Sequence, residues 1–217
     1  SLAKKKNILT FLDNTWGTPL YLKPLKIGFD ISFSSATKYF SGHSDAMGGT
    51  LAVNKKVFKN VMQFYKLSGY RMAADEAYLI TRGLRTLDVR LKAHYKNTKT
   101  VINYLKKNKK IKEILYPHDP TSKNYKLWKK YYSGATGLLS IVIKSKKKSS
   151  VVKFVNSLEL FGIGYSWGGF ESLAILQEPK RYCKKFSKDE HIVRMHIGLE
   201  DPKDLIIDLN NSLKYIK

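Results

Sequence analysis

Residues 29–54 read FDISFSSATKYFSGHSDAMGGTLAVN. An alternating segment, FDISFS (29–34), runs into a polar, glycine-containing loop, and TLAVN (50–54) follows as a second apolar run. Alternation over a few residues predicts a half-buried strand, so the stretch reads as strand, polar loop, strand. It places Lys38 in the loop just after a strand, where ligands collect in open α/β sheets.

Upstream, ILTFLD (8–13) predicts a buried strand ending at Asp13, and NTWGTPLYLKPL follows as a loop held by Pro19 and Pro24. Parallel strands need helices on both faces. A strand this close to the first residue therefore reads as the middle of a domain, and the chain looks cut into rather than naturally opened. Downstream, residues 55–66 and 73–110 predict helices. Ala77, Ile80, Leu84, Leu87 and Leu91 recur three or four apart, with Gly83 marking a bend. Strands are expected at IKEILYP (111–117), GLLSIVIK (137–144), GIGYSW (162–167) and HIVRMHIG (191–198), with helices at 147–160 and 202–214. Asp201 followed by Pro202 is an N-cap with proline in the first helical turn. The expectation is an α/β protein: residues 1–90 as one domain, and residues 91–217 as a smaller α/β domain with a linking helix.

Composition narrows the function classes. The 217 residues carry 40 Lys+Arg against 17 Asp+Glu, a formal net charge of +23. A charge of that size attracts anions, nucleic acid among them. Yet the lysine runs at 4–6, 106–110 and 146–148 are scattered, and no zinc-finger spacing or RNP-like aromatic pair accompanies them. Neither specific nucleic-acid binding nor membrane insertion is expected, since no apolar run approaches the roughly 18 residues a bilayer requires. The one cysteine, Cys183, reads as a loop thiol and fits a reducing cytoplasm.

Four elements can carry chemistry. Lys38 lies between small hydroxyl residues, and a desolvated lysine amine attacks aldehydes. Ser35 and Thr37 can hydrogen-bond a phosphate. Asp13, in DNT after a strand, can face a pyridine nitrogen or simply close a turn. Arg194, in RMHIGLED, can grip a carboxylate with its fork or form a domain-interface ion pair. In SWGGFES (166–172), Gly168 and Gly169 permit close backbone approach, and Trp167 is either an aromatic wall or core. His43 and Asp45 can order the lysine loop. His191 and His196 form no metal-ligand set with the carboxylates, and no metal is expected.

Taken in order, FLDNTWGTPLYLKPLKIGFDI, SATKYFSGHSDAMGG, GYRMAADEAYLITRGLRTLDVR, SGATGLLSIVI, GYSWGGFESLAI and RMHIGLEDPKDLIIDL resemble the Cys/Met-metabolism enzymes that use pyridoxal phosphate. SWGG together with HIGLED is most similar to the cystathionine β-lyase branch. The resemblance implies fold type I, with part of an aspartate aminotransferase-type large domain and the small carboxy-terminal domain. It implies that Lys38 is the Schiff-base lysine and proton shuttle, that Asp13 faces the pyridine nitrogen, and that Ser35 and Thr37 contact the cofactor phosphate. Arg194 would bind the substrate α-carboxylate. Ser166 and Trp167 would line the substrate site, Ser166 helping to position Lys38. The implied reaction is α,β-elimination of L-cystathionine in methionine biosynthesis. The implied partners are an amino-acid substrate and either further copies of the chain or a complementary amino-terminal chain. Left open are γ-lyase or γ-synthase chemistry and an inactive remnant.

Overall fold

The computed structural model describes residues 2–180, 182 and 186–217. Cys183 lies outside the described residues. The chain forms two compact units: residues up to Asp88 with Tyr131–Ala135, and Val89–Lys130 with Thr136–Lys217.

The first unit opens with a short helix α1 (Leu2–Lys5), strand β1 (Phe11–Asp13), helix α2 (Thr18–Tyr21) and a 3-10 turn (Pro24–Ile27). Strands β2 (Ile31–Ser35) and β3 (Gly49–Val53) follow, then helices α3 (Lys55–Ser68) and α4 (Ala74–Leu84). The sheet order is β1-β2-β3, with β1 and β2 parallel and β3 antiparallel to β2. A strand, loop and returning strand give β3 its direction, whereas β1 and β2 share theirs because the α2 segment crosses between them. Asp30 fixes the strand ends: its carboxylate accepts from the Thr10 backbone N–H and hydroxyl and from the Asn54 amide. Asn54 in turn caps α3 through Oδ1 to the Val57 N–H.

The expected helix over 73–110 is two helices, α4 and α5 (Leu87–Leu105), and the break falls at Arg85–Thr86 rather than at Gly83. The Arg85 and Thr86 amides fold back on the Arg82 and Gly83 carbonyls, which closes α4 in a tight turn. Gly83 serves a different need. A Cβ there would sit 2.2 Å from the Ser41 carbonyl oxygen and 2.3 Å from that of Phe40, so the bare Cα admits the backbone of the lysine loop. Ile80, Leu87 and Leu91 are buried as the periodicity requires, but Leu84 is exposed.

The second unit adds β4 (Ile111–Leu115), α6 (Tyr125–Tyr131, whose last residue belongs to the first unit), β5 (Leu138–Lys144) and α7 (Lys148–Asn156). It ends with β6 (Gly162–Ile163), β7 (Leu173–Gln177), β8 (Glu190–His196) and α8 (Pro202–Leu213). The sheet order is β4-β5-β8-β7-β6, antiparallel except for the β6–β7 pair. Leu139 and Ile141 lie opposite Met195 and Val193 across β5 and β8, and all four are buried. Val151, Phe154 and Val155 of α7 and Leu205, Leu209 and Leu213 of α8 are buried with them. Removing such side chains from water is the main term holding the unit together. The Asp201 carboxylate caps α8 at the Lys203 N–H, with Pro202 next in line.

Several segments depart from expectation: ILTFLD is a strand only at Phe11–Asp13, with Ile8, Leu9 and Phe11 exposed rather than buried, and α6 stands where no helix is expected. GIGYSW is a strand only at Gly162–Ile163; beyond it the chain is irregular as far as Ser172. The strand lies instead at Leu173–Gln177, between β8 and β6.

Candidate active site

The first unit gathers Asp13, Ser35, Thr37 and Lys38 at one end of its parallel strand pair. Asp13 pairs with Phe33 in register, so Asp13, Phe33 and Ser35 share one face of the sheet. The DNT segment is tied to β2 link by link. The Asn14 N–H donates to the Phe33 carbonyl (2.8 Å), and the Ser35 N–H donates to the Thr15 hydroxyl (2.8 Å). Asp13 Oδ1 accepts from the Thr15 N–H (2.9 Å). Asp13 therefore closes the turn with one oxygen and, because its side chain is exposed, still presents a carboxylate to a ligand. The two alternatives left open by the sequence are compatible.

Lys38 follows β2 directly, in a turn whose backbone is fully organised. Its N–H donates to the Ser35 carbonyl, and its own carbonyl accepts from Gly42. The Ser41 N–H donates to Ala36 O, and the Ser41 hydroxyl to Thr37 O. Tyr39 and Phe40 are buried directly after Lys38, anchoring the turn in the unit. The two hydroxyl residues divide their work. Thr37 Oγ1 accepts from the Gly48 N–H (3.0 Å) and lies 3.4 Å from Gly48 O, so it spans the loop mouth. The half-buried Ser35 hydroxyl makes no hydrogen bond among the described residues and is open to a phosphate oxygen. His43 Nδ1 donates to Ser41 O (2.6 Å), bracing the loop, whereas Asp45 is exposed. A cleft of about 320 Å³ in this unit is lined by Asn14, Ser32, Ser34 and Thr50, on the sheet face opposite Asp13 and Ser35.

The second unit carries Ser166, Trp167 and Arg194. Arg194 lies on β8, half-buried, and burial pulls its guanidinium below its ordinary value. Its Nη2 donates to the Tyr165 carbonyl (2.5 Å) and, more weakly, to that of Gly164 (3.4 Å). It makes no ion pair with a carboxylate among the described residues. Past Trp167, the buried Gly168 adopts φ +86°, a conformation that favours glycine. The next residues are stapled to the turn after β8. The Ser172 N–H and hydroxyl donate to the Glu200 carboxylate (2.6 and 2.8 Å), and the Leu199 N–H donates to Phe170 O (2.8 Å).

Three residues were missed as site supports. Gly83 admits the lysine loop, Thr15 ties Asp13 to Ser35, and His196 contacts the Gly168–Gly169 turn. Gly83 left a trace in the sequence as an interruption of a helical pattern, His196 only as a candidate metal ligand, and Thr15 none.

The lysine turn fits pyridoxal phosphate by its donor set: an amine after a strand, an open hydroxyl three residues earlier, and an exposed carboxylate on the neighbouring parallel strand.

Comparison with known proteins agrees. The model of the Cys/Met metabolism PLP-dependent enzymes matches residues 1–214. The chain is 38% identical over 216 residues to an L-alanine/L-glutamate racemase of Wolbachia pipientis wMel, covering 98% of this chain and 54% of that protein. It is 37% identical over 208 residues to cystathionine β-lyase MetC of Escherichia coli K12 (93% and 53% covered). To human cystathionine γ-lyase it is 36% identical over 219 residues (97% and 54%). Among solved structures, the cystathionine γ-synthase of Xanthomonas oryzae pv. oryzae in complex with cystathionine superposes with a TM-score of 0.88 at 30% identity. The match covers 98% of this chain and 57% of that one. The fold is thus that of the fold type I PLP enzymes, and the chain spans about half the length of the curated relatives it matches.

Proposed function

The chain belongs to the Cys/Met metabolism PLP-dependent enzyme family, and from that premise we propose that it supplies the lysine turn and the carboxylate clamp of a carbon–sulfur lyase. The reaction is α,β-elimination of L-cystathionine to homocysteine, pyruvate and ammonia. The family's cofactor, when bound, supplies an electron sink in its ring. The chain's residues do the rest. Lys38 Nζ holds the cofactor aldehyde and carries the substrate α-proton. Asp13 keeps a pyridine nitrogen protonated. The Ser35 hydroxyl binds phosphate, and Thr37 holds the loop that presents it. Arg194 orients the α-carboxylate, and Ser166 and Trp167 line the substrate.

The observation that carries this reading is the placement of Asp13 and Ser35 on one face of adjacent parallel strands, with Lys38 in the turn that follows. Large apolar side chains of the first unit are exposed, among them Ile8, Leu9, Phe11, Leu51, Phe58 and Phe64. They support a partner that covers them, either a complementary amino-terminal chain or further copies. Among the described residues no helix is long and apolar enough to cross a membrane. We place the enzyme in the cytoplasm, in methionine biosynthesis.

The test is to mix the chain with pyridoxal phosphate, with and without an amino-terminal half taken from a relative, reduce with borohydride and map the label. The label is expected on Lys38 and absent from Lys38→Ala. No label in either mixture means an inactive remnant, and a label that survives Lys38→Ala overturns the lysine assignment. A second reading, γ-elimination, has support from the human γ-lyase relative and is separated by product: 2-oxobutyrate instead of pyruvate from cystathionine.

A further inference from the structure

Arg194 and His196 are two residues apart on β8, so their side chains share one face of the strand. Both reach the same irregular segment, on opposite sides of Ser166–Trp167. Arg194 holds the Tyr165 and Gly164 carbonyls before the pair. His196 meets the backbone after it: Nε2 lies 3.1 Å from the Gly168 nitrogen and 3.1 Å from the Gly169 oxygen.

We propose that His196 is a positioning residue for the Ser166–Trp167 wall, holding the Gly168–Gly169 turn through Nε2. The role rests on the reading of Ser166 and Trp167 as substrate-lining residues given above.

The ring has one place to be. It is 1% exposed. The His94 ring packs against it, with centroids 5.0 Å apart. On another side lies Gly137, where a Cβ would come within 3.0 Å of the His196 Cε1. Either neutral tautomer then grips the turn. With its proton on Nε2, the ring donates to the Gly169 carbonyl. With its proton on Nδ1, it accepts from the Gly168 N–H. The two anchors also differ in what else is asked of them. A carboxylate gripped by the Arg194 guanidinium competes for Nη2, the donor that holds Tyr165 and Gly164. His196 is buried, away from the carboxylate that Arg194 would grip, so the wall keeps one anchor while the clamp is in use.

The test is NMR of the full ¹⁵N-labelled chain. The Trp167 indole N–H is identified by its loss in Trp167→Phe. His196→Leu keeps bulk but removes the hydrogen bonds. In it the Gly168 amide is expected to exchange with solvent about tenfold faster, the loss of roughly one hydrogen bond, and the Trp167 indole signal to move. His196→Gln keeps an amide that donates and accepts, and is expected to return both signals toward wild type. The amides of β5 stay unchanged in both variants. Three results overturn the proposal: Gly168 and Trp167 unmoved in His196→Leu, Gln behaving like Leu, or the β5 amides lost along with the turn. No readout involves cofactor or turnover, so failure of the chain to take up pyridoxal phosphate refutes the lyase reading and leaves this result standing.

Discussion

The Cα of Gly83, one residue from the end of α4, lies against the carbonyl of Ser41, so close that a Cβ would come within 2.2 Å of that oxygen. Ser41 is three residues beyond Lys38, and its hydroxyl and N–H close the lysine turn on Thr37 and Ala36. A helix thus seats the turn through a residue with no side chain, and what faces it is backbone, which cannot swing aside.

Gly83→Ala is therefore expected to destabilise the chain by about 3 kcal/mol, the upper end for overpacking, and to distort the lysine turn. Urea unfolding gives the first effect. Borohydride labelling of Lys38 at limiting pyridoxal phosphate gives the second, as reduced incorporation. Stability equal to wild type would show that α4 moves aside without cost.

Ser35 and Thr37 are expected to separate under mutation, although sequence alone gives them the same role. The Ser35 hydroxyl is open, so Ser35→Ala should weaken cofactor binding by about tenfold, one hydrogen bond to a charged group, with no change in urea midpoint. The Thr37 hydroxyl is engaged with Gly48, so Thr37→Val strands the Gly48 N–H. It should weaken binding and also lower stability by about 1–2 kcal/mol, while Thr37→Ser preserves both. Titration of pyridoxal phosphate beside urea unfolding checks the pair.

On the proposed reading Asp13 serves two purposes, which Asp13→Asn divides. Asparagine retains an oxygen for the Thr15 N–H, so the turn and its link to Ser35 should persist and the urea midpoint hold within about 0.5 kcal/mol. The charge is lost, and with it the partner proposed to keep a pyridine nitrogen protonated. The expected result is a folded chain that still labels at Lys38, with elimination impaired at least a hundredfold when complemented (about 2.7 kcal/mol in the barrier). Unchanged turnover would remove Asp13 from the reading.

The lysine turn was legible from 29–54 because its signals are local: alternation, a polar loop, a second apolar run. Asp201 and Pro202 declared a helix start for the same reason. What the sequence hid depends on distant partners. The GIGYSW segment alternates well enough for a strand, but some 30 residues later Arg194 holds its second half, and His196 the Gly168–Gly169 turn just beyond it, as irregular backbone. LAILQ becomes β7 because β8 and β6 flank it. Helix α6 is masked by lysines around the one buried anchor, Trp128. The interruption at Gly83 was visible, but its partner 42 residues earlier was not.

His94 gives the chain a pH-dependent stability. Its ring is 0% exposed, and Nδ1 donates to the Ile197 carbonyl (2.8 Å). Burial pulls it from 6.5 down to about 4; the Ile197 carbonyl opposes the shift and the nearby buried Arg90 adds to it. The unfolded chain binds this proton between those two values and the folded chain does not. Stability is therefore full above pH 6.5 and falls as the pH drops toward 4, by about 3 kcal/mol in all. His118, also held low by burial and Lys99, acts in the same direction. The depressed carboxyls of Asp30 and Asp119 lose their contribution only further into acid, and that of Glu178 begins to be lost below its ordinary 4.5. Urea midpoints measured from pH 7.5 to 4 should trace the fall, and His94→Leu should remove most of it while leaving stability at pH 7.5 within about 1 kcal/mol. A slope unchanged in His94→Leu would assign the proton to another group.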